Sequence, residues 1–231
     1  MPRNGFDNFF FTYSYGPATW VSMNTEFDVR FAALPRFLRL PFPPPYLPRG
    51  ALISSASPPQ YSHGSPQWLW IESALAAVDR SVSPWLFLVL HRPIYSVDND
   101  EVGSHVPGGA LSVALEPLLQ KYAVDVVYMG HEHVYERTAA VFNGTVVGLP
   151  DAGGRYDNPG APIYIVQGTS GADLDIDKWI SPIPAWNLVH QSYYGFGRLE
   201  MSSVGGTRVL NYTSVDTDGK PRDVWSITKN K

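Results

Sequence analysis

The sequence contains no cysteine among its 231 residues. This absence excludes a disulfide framework, and it excludes a metal site built from thiolates. It does not exclude secretion, because two Asn-x-Thr triplets, at 143–145 and 211–213, would suit glycosylation of a secreted protein. Such triplets also arise often by chance, so each of them is weak evidence alone.

The sequence also lacks an excess of basic residues and lacks any long apolar run. Its formal net charge is −4 and its pI is about 5.8, which argues against a nucleic-acid partner. No apolar segment approaches the ~20 residues that span a bilayer, which argues against a membrane protein. Residues 1–16 have neither the continuous apolar core nor the small-residue cleavage site of a signal peptide. We therefore expect a soluble protein.

The first part of the sequence predicts a β-hairpin, a proline-rich segment and a helix. Residues 9–28 are aromatic and β-branched around a Gly-Pro pair, which predicts two strands joined by a turn. Residues 29–59 hold 8 of the 21 prolines. Because repeated proline is incompatible with a helix or a central strand, we expect an insert or a disordered loop there. Ser65 and Pro66 then begin an amphipathic helix, as its N-cap and its first helical residue.

The middle of the sequence predicts a strand, a helix and a second strand. The apolar run at 84–91 predicts a strand that is buried on both faces. Leucines recur at helical spacing in 110–122, although we expect Pro117 to break or restart this helix. The run at 124–130 predicts the second strand. In such βαβ units the strands are parallel and ligands gather outside their carboxyl ends, so residues that follow the two strands should lie together.

The remainder of the sequence is rich in predicted strands. An Asn-Gly pair at 143–144 stands between two β-prone runs, which is the strongest short signal for a hairpin. Residues 161–171 predict a further strand. Residues 193–215 and 223–230 predict three alternating strands with a turn at the glycine pair 205–206. Together with the middle segment, this pattern predicts a mixed α/β protein.

Three histidines follow the two predicted strands of the βαβ unit. His91 ends the first strand, and His131 and His133 follow the second. Side chains two residues apart in an extended segment point to the same side, so His131 and His133 should face one place while Glu132 faces away. Neutral imidazoles bind Zn, Fe, Mn or Cu, which makes the three histidines candidate metal ligands. The spacing leaves open the alternative that each one is a satisfied polar group.

Two motifs around these histidines resemble those of a known family. Residues 130–137 read GHEHVYER, and residues 89–96 read VLHRPIYS. They resemble the last two metal-binding motifs of the purple acid phosphatases, which are calcineurin-like metallophosphoesterases. Further stretches are similar to the same family: SYGPATWVSMNTEFD, PIYIVQGTSG, YYGFGRLEM and DGKPRDVWSITK. The resemblance covers most of the chain except residues 29–59.

The resemblance implies a fold, a metal centre and a reaction. The fold would be the C-terminal portion of a four-layer α/β/β/α sandwich, incomplete, with residues 1–231 as a single partial metallophosphoesterase domain. The reaction would be hydrolysis of phosphate monoesters at acid pH by a metal-bound hydroxide, at a binuclear centre of Fe(III) with Zn, Mn or Fe(II). His91 and His131 would bind the divalent ion, and His133 would bind the ferric ion.

The resemblance also implies roles for residues around the metal ligands. Tyr135, Glu136 and Arg137 would brace the loop behind the histidines, with Glu136 or Arg137 in an ion pair to a local partner. His105 would contact the substrate phosphate and protonate the leaving group, since an imidazole is charged at acid pH. The alternative for His105 is a solvated loop histidine.

The sequence departs from the family pattern at its beginning. The first three motifs of the family read roughly GDxG, GDxxY and GNH(D/E), and none of them occurs, while residues 1–16 resemble the segment after the third. Only three of about seven expected ligands are present, without the bridging carboxylate that holds two cations together. We therefore expect this chain alone to be inactive. Two alternatives are a non-catalytic remnant and a mononuclear metal-binding module. Localisation is expected to follow the family habit of secretion or lysosomal or vacuolar residence.

Overall fold

The computed structural model describes residues 10–26, 61–99, 103, 105–176 and 178–230. The proline-rich segment 29–59, predicted to be an insert, lies outside the described residues. Twelve strands and two helices form in the described ranges. The helices are α1 (Pro66–Ala76) and α2 (Ala110–Lys121). The strands are β1 (Phe11–Tyr15), β2 (Ala18–Ser22), β3 (Trp85–Val89), β4 (Val126–Met129), β5 (Tyr135–Phe142), β6 (Thr145–Gly148), β7 (Arg155–Asp157), β8 (Ile163–Gln167), β9 (Asn187–Gln191), β10 (Gly195–Val204), β11 (Thr207–Asp216) and β12 (Pro221–Lys229).

The strands form two sheets. The first sheet has the order β1-β2-β3-β4-β8-β5-β6, with β9 also paired to β5, and its central strands β2, β3, β4 and β8 are parallel. The second sheet has the order β10-β11-β12-β7, in which β10, β11 and β12 form an antiparallel meander. The predicted hairpins and the predicted βαβ unit are confirmed. The short strands β7 and β9 were not predicted, because neither has a clear alternating pattern.

Two hydrophobic cores separate three layers. One core lies between the helices and the first sheet, and the other lies between the two sheets. Strand β3 contributes to both, since Leu86 and Leu88 face the helices while Trp85 and Phe87 face the second sheet. This confirms the predicted strand with two buried faces. The described residues thus form an α/β/β arrangement, and no helix among them covers the outer face of the second sheet.

Helix α1 begins where the sequence predicts. The Ser65 Oγ accepts a hydrogen bond from the Trp68 backbone N–H at 3.2 Å, and Pro66 occupies the first turn, where its missing N–H costs nothing. The helix places Trp68, Ile71 and Leu75 in the core against the first sheet. The predicted cap and apolar face are both confirmed.

Helix α2 runs through Pro117 without a break, so the predicted interruption is wrong. The proline lies on the exposed face, while four leucines of this helix are buried against the first sheet. Burying one leucine stabilises a fold by about 1.5–3 kcal/mol. Four such contributions outweigh the cost of about 3 kcal/mol for one internal proline.

Neither helix in the described ranges is long and apolar enough to cross a membrane.

A buried ion pair joins the two sheets. The Arg137 guanidinium in β5 donates to both carboxylate oxygens of Asp223 in β12, at 2.6 and 3.1 Å. Tyr135 donates its hydroxyl proton to the same carboxylate at 2.7 Å. Arg137 therefore has a partner 86 residues away in the other sheet, and the expected local partner is wrong. The geometry agrees with a bracing role for Tyr135 and Arg137.

We predict that Asp223→Asn destabilises the protein strongly. The substitution leaves the Arg137 charge buried without a counter-charge, because the two side chains are only 7% and 9% exposed. Removing one partner of a buried pair costs about 3–5 kcal/mol of unfolding free energy, which urea denaturation followed by circular dichroism would measure.

The matched control is Glu200→Gln, which removes a charge from an exposed pair in the same sheet. Glu200 and Arg198 are 60% and 59% exposed at 3.4 Å, and such pairs contribute about 1 kcal/mol or less. Equal losses for the two variants would contradict the assignment of Asp223 as a sheet-bridging residue.

Candidate metal centre

His91 and His131 lie at the same edge of the first sheet. Strand β3 ends at Val89 and the parallel strand β4 ends at Met129, and each histidine follows its strand by two residues. The two loops are joined by a hydrogen bond from the Gly130 N–H to the His91 carbonyl at 3.0 Å. The topology therefore brings together two side chains that are 40 residues apart, as predicted for the carboxyl ends of parallel strands.

The two imidazoles are in direct contact. The His131 Nδ1 lies 3.1 Å from the His91 Nε2, and the ring centroids are 5.0 Å apart in an edge-on arrangement. Partial burial and the neighbouring His131 lower the pKa of His91. A lowered pKa favours the neutral imidazole, which is the form that binds a metal ion.

His133 does not share the environment of His131. Its Nδ1 lies 2.7 Å from the Asp173 carbonyl oxygen, and its backbone N–H donates to Asp175 at 3.0 Å. His131 has φ +72°, so the segment is a turn and not an extended strand. The expectation that His131 and His133 face one place while Glu132 faces away rested on extended geometry, and it is wrong for Glu132, which lies beside His131.

The turn is held in place by close packing on the end of β8. Gly168 donates its N–H to the Val134 carbonyl at 3.0 Å. A Cβ atom at position 168 would lie only 1.9 Å from the Glu132 carbonyl oxygen. Glycine is therefore required at 168, because any side chain would displace the turn that carries the histidines.

His105 is buried and adjoins the same site. Its exposed fraction is 4%, its Nδ1 lies 2.7 Å from the Pro93 carbonyl, and its Nε2 lies 3.3 Å from the Glu132 Oε1. Its ring centroid is 6.0 Å from that of His131. The alternative of a solvated loop histidine is therefore wrong. The predicted contact with substrate stays a prediction.

Three carboxylates lie at this site, and none of them was predicted to take part in it. In the described ranges, two sets of side chains place three ligand atoms within 4.8 Å of one another. One set is His105, His131 and Glu132, and the other is Asp98, Glu132 and Asp175. The trio of His91, His131 and His133 is not such a set. The sequence signal for Glu132 was its place between two candidate ligands, whereas Asp98 and Asp175 have no recognisable motif.

Glu136 holds the loop that leads to His105. Its carboxylate accepts hydrogen bonds from the Ser96 hydroxyl at 2.5 Å, the Val97 N–H at 2.9 Å and the Asn187 side-chain amide at 2.7 Å. Burial raises the pKa of Glu136 to about 7, although the bonds from Ser96 and Val97 favour its charged form. This geometry agrees with a bracing role.

Two family models match the chain. The model of the calcineurin-like phosphoesterases matches residues 13–135, and the model described as iron/zinc purple acid phosphatase-like protein C matches residues 161–220. The first match includes the whole predicted motif at 89–96 and the predicted motif at 130–137 as far as Tyr135.

Curated proteins and a solved structure show the same similarity. A phosphoenolpyruvate phosphatase of Allium cepa is 34% identical over 172 residues, which is 73% of this chain and 34% of that protein. The Fe(3+)-Zn(2+) purple acid phosphatase 12 of Arabidopsis thaliana is 34% identical over 62% of this chain and 30% of its own length. The structure of a purple acid phosphatase from yellow lupin seeds superposes with a TM-score of 0.72 at 24% identity, covering 100% of this chain and 34% of that one. The chain thus spans about a third of the length of these proteins.

We predict that Glu136→Gln flattens the pH dependence of stability. Between about pH 4.5 and about pH 7, the folded Glu136 retains a proton that the unfolded chain releases. The stability that this protonated group contributes is therefore present at low pH and is lost as the pH rises through about 7. At 1.36 kcal/mol per unit, the loss is on the order of 3 kcal/mol.

Urea denaturation of the wild type and the variant across this pH range would measure the effect. The substitution also changes the hydrogen bonds of this side chain. Because glutamine does not titrate, that change shifts the free energy of unfolding by the same amount at every pH. Parallel curves for the two proteins would contradict the raised pKa.

Proposed function

Because the chain belongs to the calcineurin-like phosphoesterases, and because its relatives are purple acid phosphatases, we propose that it is the C-terminal part of the catalytic domain of a binuclear acid phosphatase. The substrates in this proposal are phosphate monoesters. The onion relative is named for phosphoenolpyruvate, which belongs to this class. The domain organisation proposed is one partial metallophosphoesterase domain.

One observation carries the proposal most directly. The His91 Nε2 and the His131 Nδ1 approach to 3.1 Å at the end of two parallel strands, within the two motifs that resemble the family's ligand motifs. In the proposal, His91 and His131 hold the divalent ion and His133 holds Fe(III). The divalent ion is Zn, Mn or Fe(II). The Fe–Zn name of the Arabidopsis relative supports an iron-containing centre.

The surroundings of His133 suit a metal ligand. The Asp173 carbonyl can only accept a hydrogen bond, so the His133 Nδ1 must carry the proton at their 2.7 Å contact. Its Nε2 then presents a lone pair that can bind a metal ion. A histidine that binds a metal usually donates its other ring N–H to a carbonyl or a carboxylate, as His133 does here. Bound ions would supply Lewis-acid charge and lower the pKa of a water molecule at the site. The chain's own part is to orient the histidines.

The proposal includes a secretory or vacuolar location. The triplet at 143–145 lies at the turn of the β5–β6 hairpin, where Asn143 and Thr145 are exposed. An exposed turn accommodates a glycan without disturbing the core. This supports a protein that passes through the secretory route.

A fusion protein tests the reaction. Residues 10–231 would be joined to the preceding catalytic segment of the Arabidopsis relative, loaded with Fe(III) and Zn(II), and assayed with p-nitrophenyl phosphate at acid pH. We expect hydrolysis, and we expect His131→Ala to lower kcat/KM at least about 100-fold, since even outer partners of metal ligands contribute 10–100-fold. His63→Ala is the matched control, because His63 is exposed and its ring contacts Trp68.

The 231-residue chain without a fusion partner is assayed in parallel. We expect no turnover above a metal blank, because three neutral histidines cannot offset the repulsion between two adjacent cations. A folded, metal-loaded fusion without activity would overturn the proposed function. Turnover by the unfused chain that is lost in His131→Ala would overturn only the expected inactivity.

A further inference from the structure

The segment between β8 and β9 lies against the turn that carries His133. Asp173 offers its backbone carbonyl to the His133 Nδ1 at 2.7 Å, and the Asp175 carboxylate accepts the His133 backbone N–H at 3.0 Å. The Asp175 N–H donates to the His133 carbonyl in a third and longer contact, at 3.4 Å. One short stretch of backbone therefore holds both the main chain and the ring of this histidine.

The Asp175 carboxylate also faces the imidazole itself. Its Oδ2 lies 4.0 Å from the His133 Nδ1, so the carboxylate and the Asp173 carbonyl both lie near the same ring nitrogen. Negative charge beside one ring nitrogen favours the tautomer that carries its proton there. In metal sites, such outer partners fix the tautomer and the orientation of the ring, and they raise the basicity of the nitrogen that binds the ion.

Asp175 is itself fixed in place. The Lys178 Nζ donates to its Oδ1 at 3.2 Å, and the Ser192 hydroxyl, directly after β9, donates to its backbone carbonyl at 2.6 Å. The Asp175 side chain is only 14% exposed. A side chain that is held at both its carboxylate and its backbone can orient a neighbouring ligand before any metal ion binds.

These contacts favour a positioning role over direct coordination. The Asp175 carboxylate has ligand atoms of Asp98 and Glu132 within 4.8 Å, so it belongs to a possible ligand set. However, one of its oxygens accepts the His133 N–H and the other accepts the Lys178 ammonium. The ammonium occupies a position that a metal ion would take at Oδ1, and its charge repels a further cation.

We propose that Asp175 is a positioning residue for His133. It acts on the ring through the charge near Nδ1 and on the backbone of the turn through the His133 N–H. The inference deepens the proposed function and rests on it, because His133 is the ligand of Fe(III) in that proposal. Asp175 lies outside both motifs that resemble the ligand motifs of the family.

The first test determines the His133 tautomer in the metal-free 231-residue chain. Imidazole ¹⁵N NMR is recorded at about pH 8, where a free imidazole is uncharged. The wild type should carry the proton on Nδ1, and Asp175→Ala should show a mixture of both tautomers. The His133 backbone amide of the variant should exchange with deuterium at least about 10-fold faster, because a hydrogen bond to a charged group is lost. The resonances of His91 should stay where they are.

Two further variants separate positioning from a general loss of structure. Asp175→Asn keeps an acceptor oxygen, so it should restore most of the amide protection of His133. Asp216→Ala is the matched control, because the Asp216 side chain is 13% exposed and accepts the backbone N–H groups of Asp218 and Lys220 at 3.1 and 2.9 Å. It should leave the His133 spectrum unchanged.

The second test measures metal retention by the fusion protein described above. Asp175→Ala should weaken the retention of iron against a competing chelator about 10–100-fold, which is the usual effect of losing an outer partner of a ligand. Zinc is held by His91 and His131 in the proposal, so its retention should change less than about threefold.

Each outcome decides the inference or the proposed function. A wild-type His133 ring protonated at Nε2 would overturn the inference without any variant, and so would an unchanged tautomer and amide exchange in Asp175→Ala. Equal loss of both metals in the fusion would also overturn it, because a general defect does not distinguish the two ions. A folded fusion that binds neither metal would contradict the proposed function, and the tautomer measurement would still decide whether Asp175 orients His133.

Discussion

The candidate site depends on the parallel pairing of β3 with β4. Its register aligns Val89 with Tyr128, so both strands end at the same edge, and the loops that follow are tied by the Gly130 N–H and the His91 carbonyl. The pairing is stable because β3 is covered on both faces, by the helices on one side and the second sheet on the other. A shift by one residue would exchange the two faces of β3 and separate the histidines.

Around that edge, buried charged side chains are paired with an opposite charge or accept hydrogen bonds. Arg137 is compensated across the sheets by Asp223, while Glu136 accepts hydrogen bonds from the loop that leads to His105. Glu132 differs from both, since its Oε1 lies 3.3 Å from the Nε2 of His105.

Much of the fold was predictable from local pattern. Ser65 and Pro66 indicated where α1 begins, and the Asn-Gly pair at 143–144 indicated the β5–β6 hairpin. Prediction failed where distant contacts override local preference. Pro117 stays inside α2 because the leucines around it are buried, and Arg137 pairs with a residue that no spacing rule connects to it. The short strands β7 and β9 exist only because β12 and β5 offer them an edge.

The sequence by itself determined the family, the strand ends that carry His91 and His131, and the presence of imidazoles at the site. These features could be predicted because motifs and apolar runs consist of consecutive residues. The tertiary structure alone decided which groups stand next to those histidines. The left-handed backbone at His131 turns Glu132 inward, and the loop tied to Glu136 buries His105 against it. Side-chain direction in a turn depends on packing, such as the close contact at Gly168. The two-residue alternation of side chains in a strand does not apply there.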